Sequence, residues 1–243
     1  MKLLTFSRRT WKEILRDPLN ICFGLGFPIV ILALLTAIQS NIPTSLFQLD
    51  RLAPGILVFG LSFITLFSAT LISRDRTSSF LQRMYTTPLT AADYILGYTI
   101  PLLPLALAQG MVCYLVSALL GLPITGNTLL SVLFSVPVAF FFIMLGLLCG
   151  SLFTDKQVGA VCGALLTNLC AWLSGTWFDL ELVGGWFRRA AYLLPFVHAT
   201  ELERSVLAGD LGAALPHLPW VIGYTLLTAA AAVWVFTRQM QKD

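Results

Sequence analysis

Residues 94–154 read YILGYTIPLLPLALAQGMVCYLVSALLGLPITGNTLLSVLFSVPVAFFFIMLGLLCGSLFT, 61 positions from Tyr94 to Thr154 without an Asp, Glu, Lys or Arg. A helix needs only about 20 apolar residues, rising ~1.5 Å each, to cross a ~30 Å hydrocarbon layer. The stretch is therefore about two crossings long and must fold back once. Its strong turn chemistry is confined to Gly121-Leu-Pro-Ile-Thr-Gly-Asn127, where glycines and a proline interrupt the helix. This predicts a span near 94–120, a tight hairpin, and a second span near 128–153.

Outward from this hairpin the same pattern repeats. Upstream lie uncharged runs at 18–38, opened by Pro18 and carrying Gly24, Gly26 and Pro28, and at 52–73, with a polar loop at 39–51 between them. Downstream, the short polar stop Thr154-Asp-Lys-Gln157 precedes a fifth run at 158–178, and a sixth occupies 216–236. The segment Asp179–Asp210 is too apolar for a solvated loop and too charged to cross, which suggests two short half-buried helices broken near Pro195. At the front, 1–17 places Leu4, Trp11, Ile14 and Leu15 on one face and charge around the rest, an interfacial helix lying on the membrane. The apolar run behind it is too long for a signal-peptide core and lacks a cleavage site, so it is expected to be retained. The expectation is all-α: residues 1–243 form one polytopic membrane domain with six transmembrane helices, no repeat and no inverted symmetry.

Composition agrees with a lipid solvent. Hydrophobic residues make up 57% of the chain and charged ones 11%, against about 25% charged in soluble domains. The net charge of +3 gives no reason to invoke nucleic acid, because Lys and Arg flank the apolar runs. Six spans put eleven of them on the side of the termini and four on the other, which places both termini in the cytoplasm. The five cysteines lie in apolar runs without a CxxC pair and are expected to be free, buried thiols.

Several chemistries are missing. Intramembrane enzymes and ion-coupled carriers use ionisable groups at membrane depth, and the six runs contain none that is charged. His198 and His217 sit in the 179–210 segment and at the mouth of the last span, which excludes paired haem ligation across the bilayer. His198 and Glu201 at i, i+3 are either a metal pair or, more plainly, a solvated helix face. No GxxxxGK[ST] phosphate loop occurs in the 243 residues, so catalytic residues, a resident metal and a bound cofactor are not expected, and active transport would draw its energy from a partner.

The most informative segment is 74–93, which joins two spans on the side of the termini. It reads as a short helix stopped before Pro88, with Phe80, Leu81 and Met84 on one face bordered by Arg74, Arg76 and Arg83. Such a ridge suits a groove on another protein; equally, a cytoplasmic loop carries arginines for topology alone.

Asp75, Leu81, Met84, Thr87-Pro88 and Asp93-Tyr-Ile-Leu-Gly97, followed by Leu173-Ser-Gly-Thr-Trp-Phe178, Leu194-Pro-Phe-Val-His-Ala-Thr-Glu-Leu-Glu-Arg204 and Gly209, stand in the order of a known family. The chain resembles the permeases of ABC-2 type ATP-binding-cassette exporters, over nearly its whole length. It departs from the family pattern at Asp75 and Thr77-Ser-Ser79, where Glu and Gly-Thr are common. The resemblance implies the type V exporter transmembrane fold, with 179–210 as an external re-entrant hairpin. It also implies a second permease, copy or paralogue, and a separate cytoplasmic ABC ATPase subunit binding ATP and Mg. Contact with that ATPase would fall on Trp11, Arg16, Asp75, Arg76, Phe80, Leu81, Arg83 and Met84. The first, second and fifth spans would line the pathway, offering Asn20, Ser62, Thr65, Thr167, Asn168 and Ser174. Hydroxyls and amides of this kind suit an amphiphilic cargo, although they equally serve to bond helices together. Trp186, Phe187, Pro195 and Phe196 would form an outer gate or a simple seal. The expected setting is the cytoplasmic (inner) membrane of a bacterium or archaeon. An ATP-independent carrier or channel, and a membrane scaffold, are the competing readings.

Overall fold

A computed structural model of the chain describes residues 2–43, 46–78 and 90–240, and the side chains of all of these except 2, 19, 20, 91, 239 and 240. No strand occurs among the described residues. Helix α1 is Lys2–Leu15, α2 Pro18–Gln39, α3 Leu49–Thr77, α4 Ala91–Leu119 and α5 Gly126–Leu152. Helix α6 (155–173) is a composite of Asp155–Val158, a π-helical stretch Gly159–Leu166, and Thr167–Leu173. Three short helices follow, α7 Leu180–Val183, α8 Gly185–Tyr192 and α9 Pro195–Leu207. Helix α10 (211–240) runs from Leu211–Ala214 through a 3-10 turn, Leu215–His217, into Leu218–Met240.

Among the described residues five helices are long and apolar enough to cross a membrane: Ile21–Gln39, Leu49–Thr77, Ala92–Leu119, Gly126–Leu152 and Leu211–Arg238. The fifth expected span, 158–178, differs. Its helix starts at Asp155, loosens into wider π turns, and ends at Leu173. It stops there because Gly175 adopts a left-handed φ of +72°, which only glycine accepts without strain. The segment nonetheless runs along α3 from one end to the other. Asp155 lies 3.6 Å from the Arg74 guanidinium, while Thr176 donates to the Gly55 carbonyl at 3.2 Å.

The local signals act where the sequence places them. Leu122 N donates to Ser117 O at 2.9 Å and Gly121 N to Ala118 O at 3.1 Å, closing α4 around Gly121 at φ +114°. Thr90 and Asp93 cap each other reciprocally at the start of α4. Pro195 occupies the first turn of α9, so the expected break in 179–210 is present, with α8 ending at Tyr192, but the segment holds three short helices, α7 to α9, where two were expected.

Helix α3 is the axis of the bundle. Its closest neighbour is α5, because Gly146 and Gly150 present bare backbone. A Cβ on Gly146 would lie 2.6 Å from Thr65 O, and one on Gly150 2.6 Å from Ala69 O. Small residues permit this approach in a membrane interior. Thr65 and Ser68 use the gap to donate to the carbonyls of Phe142 (2.9 Å) and Ile143 (3.2 Å).

Two corrections concern faces. Helix α1 has two apolar stripes: Phe6 and Ile14, with Thr10 between them, are buried against the bundle, whereas Leu4, Trp11 and Leu15 are exposed. Ile14 therefore belongs to the docked face and not to the stripe expected. Cys22 is exposed on α2 while the other four thiols are buried, and all five are free.

Candidate functional site

The bundle has two ends, and the one holding α1 is built around a buried carboxylate. Helix α3 continues past its apolar run by a charged turn, Arg74-Asp75-Arg76, which therefore stands at the mouth of the bundle. Asp75 is only 4% exposed. Burial of a charge without partners costs several kcal/mol, and three donors meet this one. Arg9 of α1 forks onto it at 2.8 and 2.6 Å, and the Tyr98 hydroxyl of α4 donates to it at 2.6 Å. Arg9 also holds Glu13 at 2.6 Å. Bidentate guanidinium–carboxylate bonds fix orientation as well as charge.

The neighbouring arginines work outward from the same turn. Arg76 donates to the carbonyls of Gly150 (2.9 Å) and Phe153 (3.4 Å), capping the C-terminus of α5. Arg74 lies between Asp17 at 3.4 Å and Asp155 at 3.6 Å. One turn of α3 thus grips α1, α4, α5 and α6. Phe6 completes the joint: it fills the space left by Gly97, where a Cβ would lie 1.9 Å from the ring, and meets Tyr98 edge-on at 5.0 Å. Tyr94 stacks on Phe236 of α10 at 3.8 Å.

Electrostatics outside the spans reflect this joint. Burial lifts the Glu13 carboxyl above its ordinary value, with the nearby Asp75 charge adding to it and Arg9 opposing. For Arg9, burial lowers the affinity for a proton, but the hydrogen bond and charge of Asp75 outweigh it, so it stays firmly cationic.

Of the residues expected at a partner contact, Asp75 and Arg76 face inward, Trp11 is exposed on α1 and Arg16 just past its end, and Phe80, Leu81, Arg83 and Met84 lie outside the described residues. Among the expected pathway residues Ser62, Thr65, Thr167 and Ser174 are buried. They bond to Phe59 O (2.6 Å), Phe142 O (2.9 Å), Gly163 O (2.5 Å) and the Thr176 hydroxyl (2.6 Å). Asn168 is exposed on α6, and the side chain of Asn20 lies outside those described. At the opposite end Trp186 is exposed, Phe187 half-buried, and Pro195 and Phe196 are buried, with Phe196 against Phe141 and Phe142.

One ionisable group inside the bundle escaped the sequence reading. Glu203 of α9 is 0% exposed and receives a hydrogen bond from Ser131 of α5, which in turn bonds the Tyr114 hydroxyl of α4. Its Oε1 has no partner. The spans themselves remain free of charge at this depth; the carboxyl enters from the segment beside them, a placement that no span-by-span reading contains.

These features define an all-helical, multi-pass membrane protein whose helix-end charges are spent on one another. The model of the ABC-2 type transporter family matches residues 1–208, and the chain belongs to that family, the transmembrane component of ABC transporters. It is also similar to the ABC transporter G family member 20 of Dictyostelium discoideum, 28% identical over 193 residues covering 74% of this chain and 26% of the relative. The chain thus spans about a quarter of that relative's length.

Proposed function

We propose that the chain is the permease subunit of an ABC exporter that moves an amphiphilic or lipid-like molecule out of the cytoplasm, driven by a separate ATPase. The observation that carries this reading is the Arg9–Asp75–Tyr98 joint. It binds an amphipathic surface helix rigidly to the end of the axial helix, immediately before residues 79–89. A push on α1 from below reaches α3, and through Gly146 and Gly150 reaches α5, by packed contacts. Transmission of work requires such packed elements with two discrete arrangements.

In this reading α6 supplies the sixth crossing, supported by its contacts with both ends of α3, and the termini face the cytoplasm of a bacterial or archaeal inner membrane. The exposed apolar faces of α2 and α6, with Phe23, Phe27, Asn168 and Trp172, meet a second permease, copy or paralogue, at a seam that carries the cargo. Phe80, Leu81, Arg83 and Met84 join Trp11 and Arg16 in seating the ATPase, which binds ATP and Mg. The 179–210 segment closes the outer end.

The test is co-expression with any ATPase and permease reading frames found adjacent to this gene, followed by tagged purification and reconstitution. An ATPase chain should co-purify, and uptake of a fluorescent amphiphile into inverted vesicles should require ATP. Phe80→Asp combined with Met84→Asp should abolish ATPase stimulation while leaving the permease folded. Sustained uphill transport by this chain alone in liposomes would refute the assignment.

Glu203 is the observation that favours the second reading, a carrier coupled to protons. That reading requires accumulation driven by a pH gradient without ATP and lost in Glu203→Gln.

A further inference from the structure

The chain has two histidines, and the fold brings them together at the bundle end opposite α1. His198, near the start of α9, places its Nδ1 2.8 Å from Nδ1 of His217, in the 3-10 turn that opens α10. The outer nitrogen of His198, Nε2, lies 3.0 Å from the carbonyl of Tyr192. A carbonyl only accepts, so Nε2 carries the hydrogen and Nδ1 turns a lone pair towards His217.

Metal-binding imidazoles are held in this way, with the outer N–H on a carbonyl, and here the inner lone pair accepts from His217 Nδ1. The ring is also prevented from turning. Trp220 stacks on His198 at 4.6 Å with planes 11° apart, and Tyr192 meets it edge-on at 5.8 Å. His198 is buried and His217 half-buried, so an ion would approach the pair from the His217 side. Glu201, one turn beyond His198 and bonded to Arg204 at 2.9 Å, adds negative charge beside it.

We propose that His198 and His217 form a two-donor site for a divalent transition ion, Cu(II) in first place. Two metal–nitrogen bonds of about 2.0 Å at right angles hold their nitrogens about 2.8 Å apart, the spacing of cis positions around square-planar Cu(II); the pair has that spacing through its N–H···N bond, which the ion replaces as the half-buried His217 ring turns its lone pair toward it. On binding, His217 passes its hydrogen from Nδ1 to Nε2 through solvent, so the neutral pair takes the ion without net proton release. No group of three or more His, Cys, Asp and Glu donors occurs among the described residues, and the remaining positions go to water. The ion ties α9 to the start of α10.

The experiment uses the full chain in detergent, purified through a tag without histidines and titrated with copper(II) chloride by calorimetry and tryptophan emission. One ion should bind per chain, more tightly than nickel or zinc, as the order of divalent affinities requires. Trp220→Phe should remove most of the quenching and leave the calorimetric binding. His198→Asn and His217→Asn should each weaken binding by about tenfold or more. Unfolding temperatures are measured alongside, and His217→Asn, at the half-buried position, is the decisive variant. Wild-type copper affinity in a folded His217→Asn chain, or no stoichiometric binding in the wild type, overturns the proposal.

Discussion

Arg9 and Asp75, 66 residues apart, form a two-pronged ion pair at 2.8 and 2.6 Å in which the carboxylate is nearly buried and the guanidinium only partly so. The asymmetry decides what the pair is worth. Asp75 depends on Arg9 for satisfaction, while Arg9 retains access to water.

Removing Arg9 therefore harms more than removing both. Arg9→Ala should destabilise the chain by about 1–3 kcal/mol, the usual cost of leaving a buried polar group short of a partner. Asp75→Ala in the same chain should recover part of that loss. A double-mutant cycle on thermal unfolding in detergent measures the coupling, and strict additivity would show that the pair contributes nothing.

Gly146→Leu tests the α3–α5 contact. Its Cβ would meet Thr65 O at 2.6 Å and Ser68 Cβ at 2.5 Å, neither of which is the end of a flexible side chain. A loss of about 1–3 kcal/mol is expected from overpacking. Gly223→Leu, where a Cβ meets nothing within 4 Å, should be close to neutral in the same unfolding assay.

Gly97→Val should undock α1 without unfolding the bundle. The new side chain takes the place of the Phe6 ring, and α1 loses its main apolar anchor. Hydrogen exchange should accelerate over residues 2–15 and stay slow in α3 and α5. Uniform acceleration across all helices would place α1 within the cooperative core instead.

Glu203 should make stability depend on pH. It lies in α9, outside the spanning helices, and burial raises its carboxyl from the ordinary 4.5 to about 8, with the Ser131 hydrogen bond opposing. The folded state then keeps a proton that the unfolded state releases, so this contribution is complete below about pH 4.5 and is lost as the pH rises towards 8. The unfolding temperature should fall across that window, at roughly 2–4 °C per kcal/mol for a chain of this size. Glu203→Gln should flatten the profile; an unchanged slope would assign the dependence to other groups.

The sequence by itself determined most of the long helices and their order. Tyr94 to Thr154 demanded a hairpin because an uncharged run of 61 residues has nowhere else to go, and Gly121, Thr90 with Asp93, and Pro195 fixed where helices turn, start and break. Those are local effects: apolar area per turn, a missing N–H, a positive φ. Tertiary structure decided which polar groups meet, because Arg9 finds Asp75, Ser131 finds Glu203 and His198 finds His217 only after helices far apart in the chain lie side by side. It also decided which hydroxyls are consumed by neighbouring carbonyls, as at Thr65. Periodicity reports that a residue turns inward or outward, and it holds no record of what waits on the other side.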